Sequence, residues 1–188
     1  MRNFLLAIFI FSTLSYFSAQ ELYMPRNIKN AYAKGTRDVS GKPGKNYWQN
    51  KGIYDIAVKV DAQKKMVSGS ETIQYFNNSP DELKILAIRF VNNVNKPQAP
   101  RAGLASKDFL TEGLKITSFS INNEKYTINS DNWGTVEPVK LNQPIASKSK
   151  TEIKIDWEYP LAKQSGREGQ IDPDTFFVAY SFPRISVY

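Results

Sequence analysis

The chain has 188 residues and a formal net charge of +7, with 41% hydrophobic and 13% aromatic residues and neither histidine nor cysteine. Without imidazoles and thiols there can be no Ser-His-Asp or Cys-His relay, no His/Cys zinc site, no haem ligation and no disulfide framework. Carboxylate acid/base chemistry, a lysine nucleophile, an all-oxygen calcium site or no catalysis survive, and the pattern along the chain favours the last.

Met1 to Ala19 has the three-part layout of a secretory signal: Arg2, an apolar run from Phe4 to Phe11, and a small-residue end at Ser18-Ala19. Ser12, Thr13 and Ser15 interrupt the apolar run well short of the roughly 20 residues a membrane span needs. Cleavage after Ala19, export to the periplasm or medium, and no stable membrane span thereafter are the expectations. Residues 20–46 carry Arg26, Lys29, Lys34, Arg37, Lys42 and Lys45 against Glu21 and Asp38. This basic lead-in reads as a solvated arm and not as a nucleic-acid site, because its charge sits in a polar, Gly/Pro-containing stretch.

From Tyr47 onward the dominant signal is period two. Tyr54, Ile56, Val58 and Val60 alternate with Asp55, Ala57 and Lys59, which predicts a strand with one buried face. A polar turn at 61–65 leads to a second strand, Met66 to Asn77, with Val67, Ile73 and Tyr75 in phase; the two form a hairpin. Asn77 to Asp81 is a turn by composition. The strand Leu83 to Val91 that follows is apolar enough for both faces to be covered, and residues 92–108 read as a long loop. Leu114 to Ile121 and Lys125 to Ile128 make a second hairpin around Asn122-Asn123, residues that tolerate positive φ. Pro138 demotes the strand Val136 to Leu141 to an edge. The clearest strand is Thr151 to Tyr159, with Ile153, Ile155, Trp157 and Tyr159 on one face and Glu152, Lys154, Asp156 and Glu158 on the other. A Gly-containing polar loop, Gly166 to Asp174, precedes a last strand, Thr175 to Tyr180. No part of the mature chain shows a capped helical period. The fold class is all-β, an antiparallel sandwich or saddle-shaped open sheet. Its apolar ending, through Phe182, Ile185, Val187 and Tyr188, reads as a domain incomplete at its C-terminal end, whose terminal segment would be an exposed apolar patch.

Candidate chemistry is sparse. Glu168, Asp172 and Asp174 could contribute oxygens to a calcium ion, but a solvated turn capped by Asp172 explains them as well. Asp156 and Glu158 share a strand face as ordinary surface charges would. Lys154 and Lys163 would be nucleophiles only if desolvated. Tyr47, Trp48, Trp133, Trp157, Tyr159, Phe176, Phe177 and Tyr180 could line a glycan or peptide groove, although aromatics at strand spacing usually pack in a core. Catalytic, substrate-binding and metal-ligating residues are therefore not assigned, and no cofactor is expected.

The order of segments carries a resemblance. Tyr54-Asp-Ile-Ala-Val-Lys-Val-Asp61 followed by Val67-Ser-Gly-Ser-Glu-Thr-Ile-Gln-Tyr-Phe-Asn-Asn78 resembles the opening hairpin of the membrane alanyl aminopeptidase family of thermolysin-like zinc peptidases. Leu83 to Phe90, Ile121 to Tyr126, Leu141 to Ile145 and Ile153 to Tyr159 resemble its following strands in order, and Arg167 to Tyr188 is similar to segments of exported bacterial members. The resemblance implies that 47–188 is the amino-terminal β-domain, truncated before a zinc-binding catalytic domain that would be its partner and would act on peptides. It implies zinc only in that second domain, since His-Glu-x-x-His is absent, as is the Gly-x-Met-x-Asn motif that holds substrate backbone. Setting Arg184 against the arginine that ends the family's amine-anchoring segment places Phe177 and Ala179 at the anchoring positions, and neither can bind an ammonium group. The alternative is a complete secreted β-sandwich that binds a glycan or peptide through exposed aromatics.

Overall fold

The computed structural model describes residues 23–129, 133–164 and 166–186; the signal segment expected at 1–19 lies outside them. The described residues fall into two compact units, 23–47 and 48–186.

The first unit contains a helix that the sequence pattern does not signal. Helix α1, Arg26–Ala33, begins after Pro25, whose fixed φ suits a helix start. Thr36 Oγ1 donates to Ala31 O and the Asn46 amide to Lys34 O, so side chains take up carbonyls at the helix end. Gly44 packs so tightly on the Gly35 carbonyl that a Cβ would sit 2.2 Å from its oxygen. The six basic side chains are all exposed. Eight residues with no buried side chain leave too little apolar periodicity for the helix to show in the sequence.

The second unit is built from antiparallel strands. Strands β1 (Lys51–Asp61), β2 (Met66–Asn77), β3 (Leu83–Arg89), β4 (Lys115–Ile121), β5 (Glu124–Lys125), β6 (Val136–Ile145), β7 (Ser149–Pro160), β8 (Glu168–Asp172), β9 (Thr175–Val178) and β10 (Arg184–Ile185) follow in chain order. They form a five-stranded sheet β1-β2-β7-β4-β5, a three-stranded sheet β10-β3-β6 and the hairpin β8-β9. Residues from both larger sheets share one core that includes Val67, Ile73, Leu86, Ile88, Val139, Leu141, Ile153, Ile155 and Trp157. Among the described residues no helix is long and apolar enough to cross a membrane.

Much of this follows the predicted alternation. On β7, Ile153, Ile155, Trp157 and Tyr159 are buried while Lys154 and Asp156 face solvent, and as a central strand β7 is paired along both edges. Asn122 and Asn123 take φ of 49° and 65° at the β4–β5 turn, the left-handed pair that a two-residue hairpin needs. Pro138 lies on β6, an outer strand of its sheet, where a missing N–H leaves no central ladder broken. At the β2–β3 corner the buried Asn77 is fully used: its amide donates to the carbonyls of Asp81, Ile145 and Ala146, and its Oδ1 accepts from Ser79. One side chain thereby ties the β2–β3 turn to the β6–β7 turn.

Four expectations are corrected. Tyr54 and Ile56 of β1 are half-buried, but Val58 and Val60 are 42% and 43% exposed, because β1 is an outer strand and its second half has little packed over it. Strand β3 is not covered on both faces: Leu86 and Ile88 are buried, Ile85 shares the opposite face with Ala87 and Arg89 and is 49% exposed, and a register irregularity between Leu83 and Ile85 brings Leu83 to the buried side. The long loop contains a 3-10 helix, Val91–Asn95, with Asn92, Asn93 and Asn95 buried. The loop Gly166 to Asp174 is largely strand, since β8 pairs with β9. Of the apolar ending, residues up to Ser186 are described, and Val187 and Tyr188 lie outside the described residues. Pro183 and Ile185 are buried, Phe182 packs against the core, and Ser186 N donates to Ala87 O. Phe177 remains half exposed.

Candidate functional site

A cleft of about 560 Å³ opens where the end of β7 meets the 96–98 and 112–115 loops, with Met66, Glu112, Lys115, Trp133, Glu158 and Tyr159 among its lining. Trp133 offers an indole that is 50% exposed. Lys115 Nζ stands 3.3 Å from Glu158 Oε1, a pair largely open to solvent. An aromatic face beside an ion pair can bind a ligand that has both apolar and hydroxyl or amide surface. Glu158 engaged by Lys115 is poorly placed to serve as a free base.

Behind the cleft is a buried polar cluster. Tyr159, 1% exposed, donates its hydroxyl to Glu168 Oε1 at 2.5 Å, and Tyr180 N donates to Glu168 Oε2 at 2.8 Å. Gly169 makes this possible. At φ +117° its backbone suits only glycine, and a Cβ there would lie 2.8 Å from Ala162 O, so the β8–β9 hairpin can fold back against the chain beyond β7. Gln170 N then bonds Ala162 O, and Lys65 Nζ bonds Gln170 Oε1 at 2.6 Å. Burial pushes the Glu168 carboxyl up, opposed by the bonds from Tyr159 and Tyr180. Burial, then the bond to Glu168, pushes the Tyr159 phenol up strongly, so Tyr159 acts as a hydrogen-bond donor and not as a phenolate. The Asn92 side chain lies close enough to both to pull their pKa values down, yet neither its oxygen nor its nitrogen has a well-formed hydrogen bond.

The structure separates the acidic residues that the sequence groups. Asp172 Oδ1 accepts Asp174 N at 3.0 Å at the tip of the hairpin, a bond that holds the exposed Asp172 carboxyl below its usual value. Glu168 points instead to Tyr159. Among the described residues no three Asp or Glu side chains converge to hold a metal. Lys154 lies 3.0 Å from Glu152, and Asp156 and Lys163 are exposed. Of the eight aromatics, Trp157 and Tyr159 are core, Trp48, Phe176 and Tyr180 are half-buried, and Tyr47, Trp133 and Phe177 are exposed. Trp133 and Tyr159 reach the cleft, Tyr159 as part of its buried wall. Phe177 and Ala179 are exposed and present no group for an ammonium ion.

Sequence reasoning missed Glu71. It occupies the inward phase of β2 with Val67, Ile73 and Tyr75, is 3% exposed, and neither carboxyl oxygen has a hydrogen-bond partner. Burial alone raises its pKa to about 8. The phase of the strand was the available signal, and the residue's charge pointed the other way.

No protein-family model matches the chain, and no match was found among curated proteins. Among solved structures, the chain is similar to a mutant M1 zinc metallopeptidase from Deinococcus radiodurans at TM-score 0.39 and 10% identity, over 64% of this chain and 23% of that one. It is also similar to the same mutant bound to a Tyr-Ser-Ala substrate, at TM-score 0.41 and 9% identity, over 69% and 26%. This chain spans about a quarter of the length of those metallopeptidase chains.

Proposed function

We propose that this chain is the non-catalytic β-domain of an exported zinc metallopeptidase of aminopeptidase type, packing against a catalytic domain and shaping its substrate entrance. The observation that carries the reading is the order of segments: β1 and β2, then β3, the Asn122-Asn123 hairpin, and β6 and β7 follow one another within one unit, in the order in which the corresponding sequence segments resemble that family. Zinc does not fit the residues present, because the chain has no histidine or cysteine and its described carboxylates do not converge. In this reading the metal and the peptide chemistry belong to the partner domain. Two measurements test it. Purified chain should not release chromophore from aminoacyl substrates with or without added zinc, and the coding frame should continue beyond Tyr188 into His-Glu-x-x-His. Turnover that a chelator abolishes and zinc restores, or a stop codon directly after Tyr188, overturns it.

A second reading is favoured by the half-exposed Trp133 at the cleft mouth: a secreted module that binds a glycan or peptide there. Indole fluorescence titrated with oligosaccharides and short peptides should then saturate, and Trp133→Ala should abolish the change. A flat titration in the native chain rules this reading out.

A further inference from the structure

The register of β1, β2 and β7 sets nine inward positions in a three-by-three patch: Tyr54, Ile73 and Ile153; Ile56, Glu71 and Ile155; Val58, Gly69 and Trp157. Glu71 is its centre. Residues 181–186 are anchored at two opposite corners. At one corner Trp157 Nε1 donates to Ser181 O at 2.8 Å. At the other, Ile185 N donates to Tyr54 Oη at 3.1 Å, and the Phe182 ring stands edge-on to the Tyr54 ring with centroids 6.1 Å apart. Gly69 is required for the first anchor, because the Trp157 indole occupies the space a Cβ would need, with its nearest carbon 2.5 Å away.

Between the two anchors Pro183 and Ile185 are buried, Arg184 and Ile185 pair with Arg89 and Ile88 of β3, Ser186 N donates to Ala87 O at 2.7 Å, and the exposed Arg89 donates its Nε to Ser186 Oγ at 3.1 Å. The titratable and charged groups around the patch are few. Strand β1 brings Tyr54, raised by burial and, to a lesser degree, by the charge of Glu71. The strap brings Arg184, which is exposed and lies over the Tyr180 ring. Strand β7 brings Ile153, Ile155 and Trp157, and the three-stranded sheet brings Leu86, Ile88, Val139 and Leu141 to the same core. A carboxylate at this position meets no cation and no hydrogen-bond donor, and its charge can be solvated only if water reaches it.

We propose that Glu71 is a proton-operated latch for the C-terminal strap: protonated, it lies neutral under the closed segment 181–186, and ionised, it drives that segment off the sheet to admit water. Closure buries Glu71 and Trp157 and half-buries Tyr54. Opening uncovers their shared apolar patch together with the edge of β3 that β10 occupies. The raised pKa, about 8, sets the range over which the latch responds, and the position of the group under the anchors decides what moves.

Hydrogen exchange of the full chain, read by mass spectrometry and corrected for the intrinsic pH dependence of exchange, tests this. Protection of the peptide covering 181–186 should fall at least tenfold between pH 6 and pH 9 relative to peptides from β2 and β7. Glu71→Gln, which stays neutral at both values, should keep that ratio constant, with Glu71→Leu as a second variant should the first fail to fold. A ratio in the native chain that does not change with pH, or that changes equally in both variants, overturns the latch.

Discussion

Two glutamates on this small β-unit face opposite circumstances. Glu168 is half-buried, accepts one bond from a tyrosine hydroxyl and one from a backbone N–H, and sits at the junction of a hairpin and a strand end. Glu71 is more deeply buried, is surrounded by aliphatic and aromatic side chains, and accepts nothing. The comparison teaches that burial alone does not decide what a carboxyl does for a fold. A buried acceptor with donors holds elements together, whereas one without donors makes the surrounding structure depend on its proton.

Substitutions at the two sites should therefore differ in sign. The largest effect is expected for Glu71→Leu at pH 8. Burial raises the Glu71 carboxyl from 4.5 to about 8, and each unit is worth about 1.4 kcal/mol. Removing the group should stabilise the chain by up to roughly 4 kcal/mol, measured by urea unfolding; destabilisation would erase the contrast. Glu168→Leu should act in the other direction, costing about 3 kcal/mol, because the Tyr159 hydroxyl and the Tyr180 N–H are left buried without their acceptor. Tyr159→Phe removes one of the two bonds to Glu168 and should cost about 1–2 kcal/mol; a neutral result would mean that the Glu168 cluster holds little together. Trp133→Ala, at a half-exposed ring in the cleft, should shift stability by less than about 0.5 kcal/mol while altering any ligand-induced change in fluorescence.

The strands were legible wherever one face is covered. Ile153, Ile155, Trp157 and Tyr159 declare themselves by alternation, and so do Val67, Ile73 and Tyr75, because a central position between two partners buries every second residue. Val58 and Val60 carry the same alternation but are exposed, since periodicity records which face is apolar and not whether another element lies over it. Ile85 belongs to the outer face of β3 with Ala87 and Arg89, whereas the buried Leu83 is out of phase with Leu86 because of a register irregularity that leaves no pattern in composition. Strand β8 was hidden by Gly169, Asp172 and the Pro173 that follows it, and α1 by its brevity and lack of a buried stripe. The polar sites were the least readable. Tyr159 meets Glu168, and Tyr54 meets Ile185 across 131 residues of chain, through contacts that exist only after the sheets form. Glu71 was half readable, with its phase placing it inside and its charge suggesting outside, and the structure follows the phase.

Stability of the native chain measured by urea unfolding from pH 5 to pH 9 tests the central claim about Glu71 most directly. A carboxyl whose folded pKa lies above its unfolded value contributes its stability in full below about pH 4.5, and that contribution is lost as pH rises towards 8. Stability should decline through pH 5–8 with a slope approaching one proton, about 1.4 kcal/mol per pH unit, level off above pH 8, and lose most of this slope in Glu71→Gln. Stability that is flat or rising across that range, or a decline of the same size in Glu71→Gln, would contradict it.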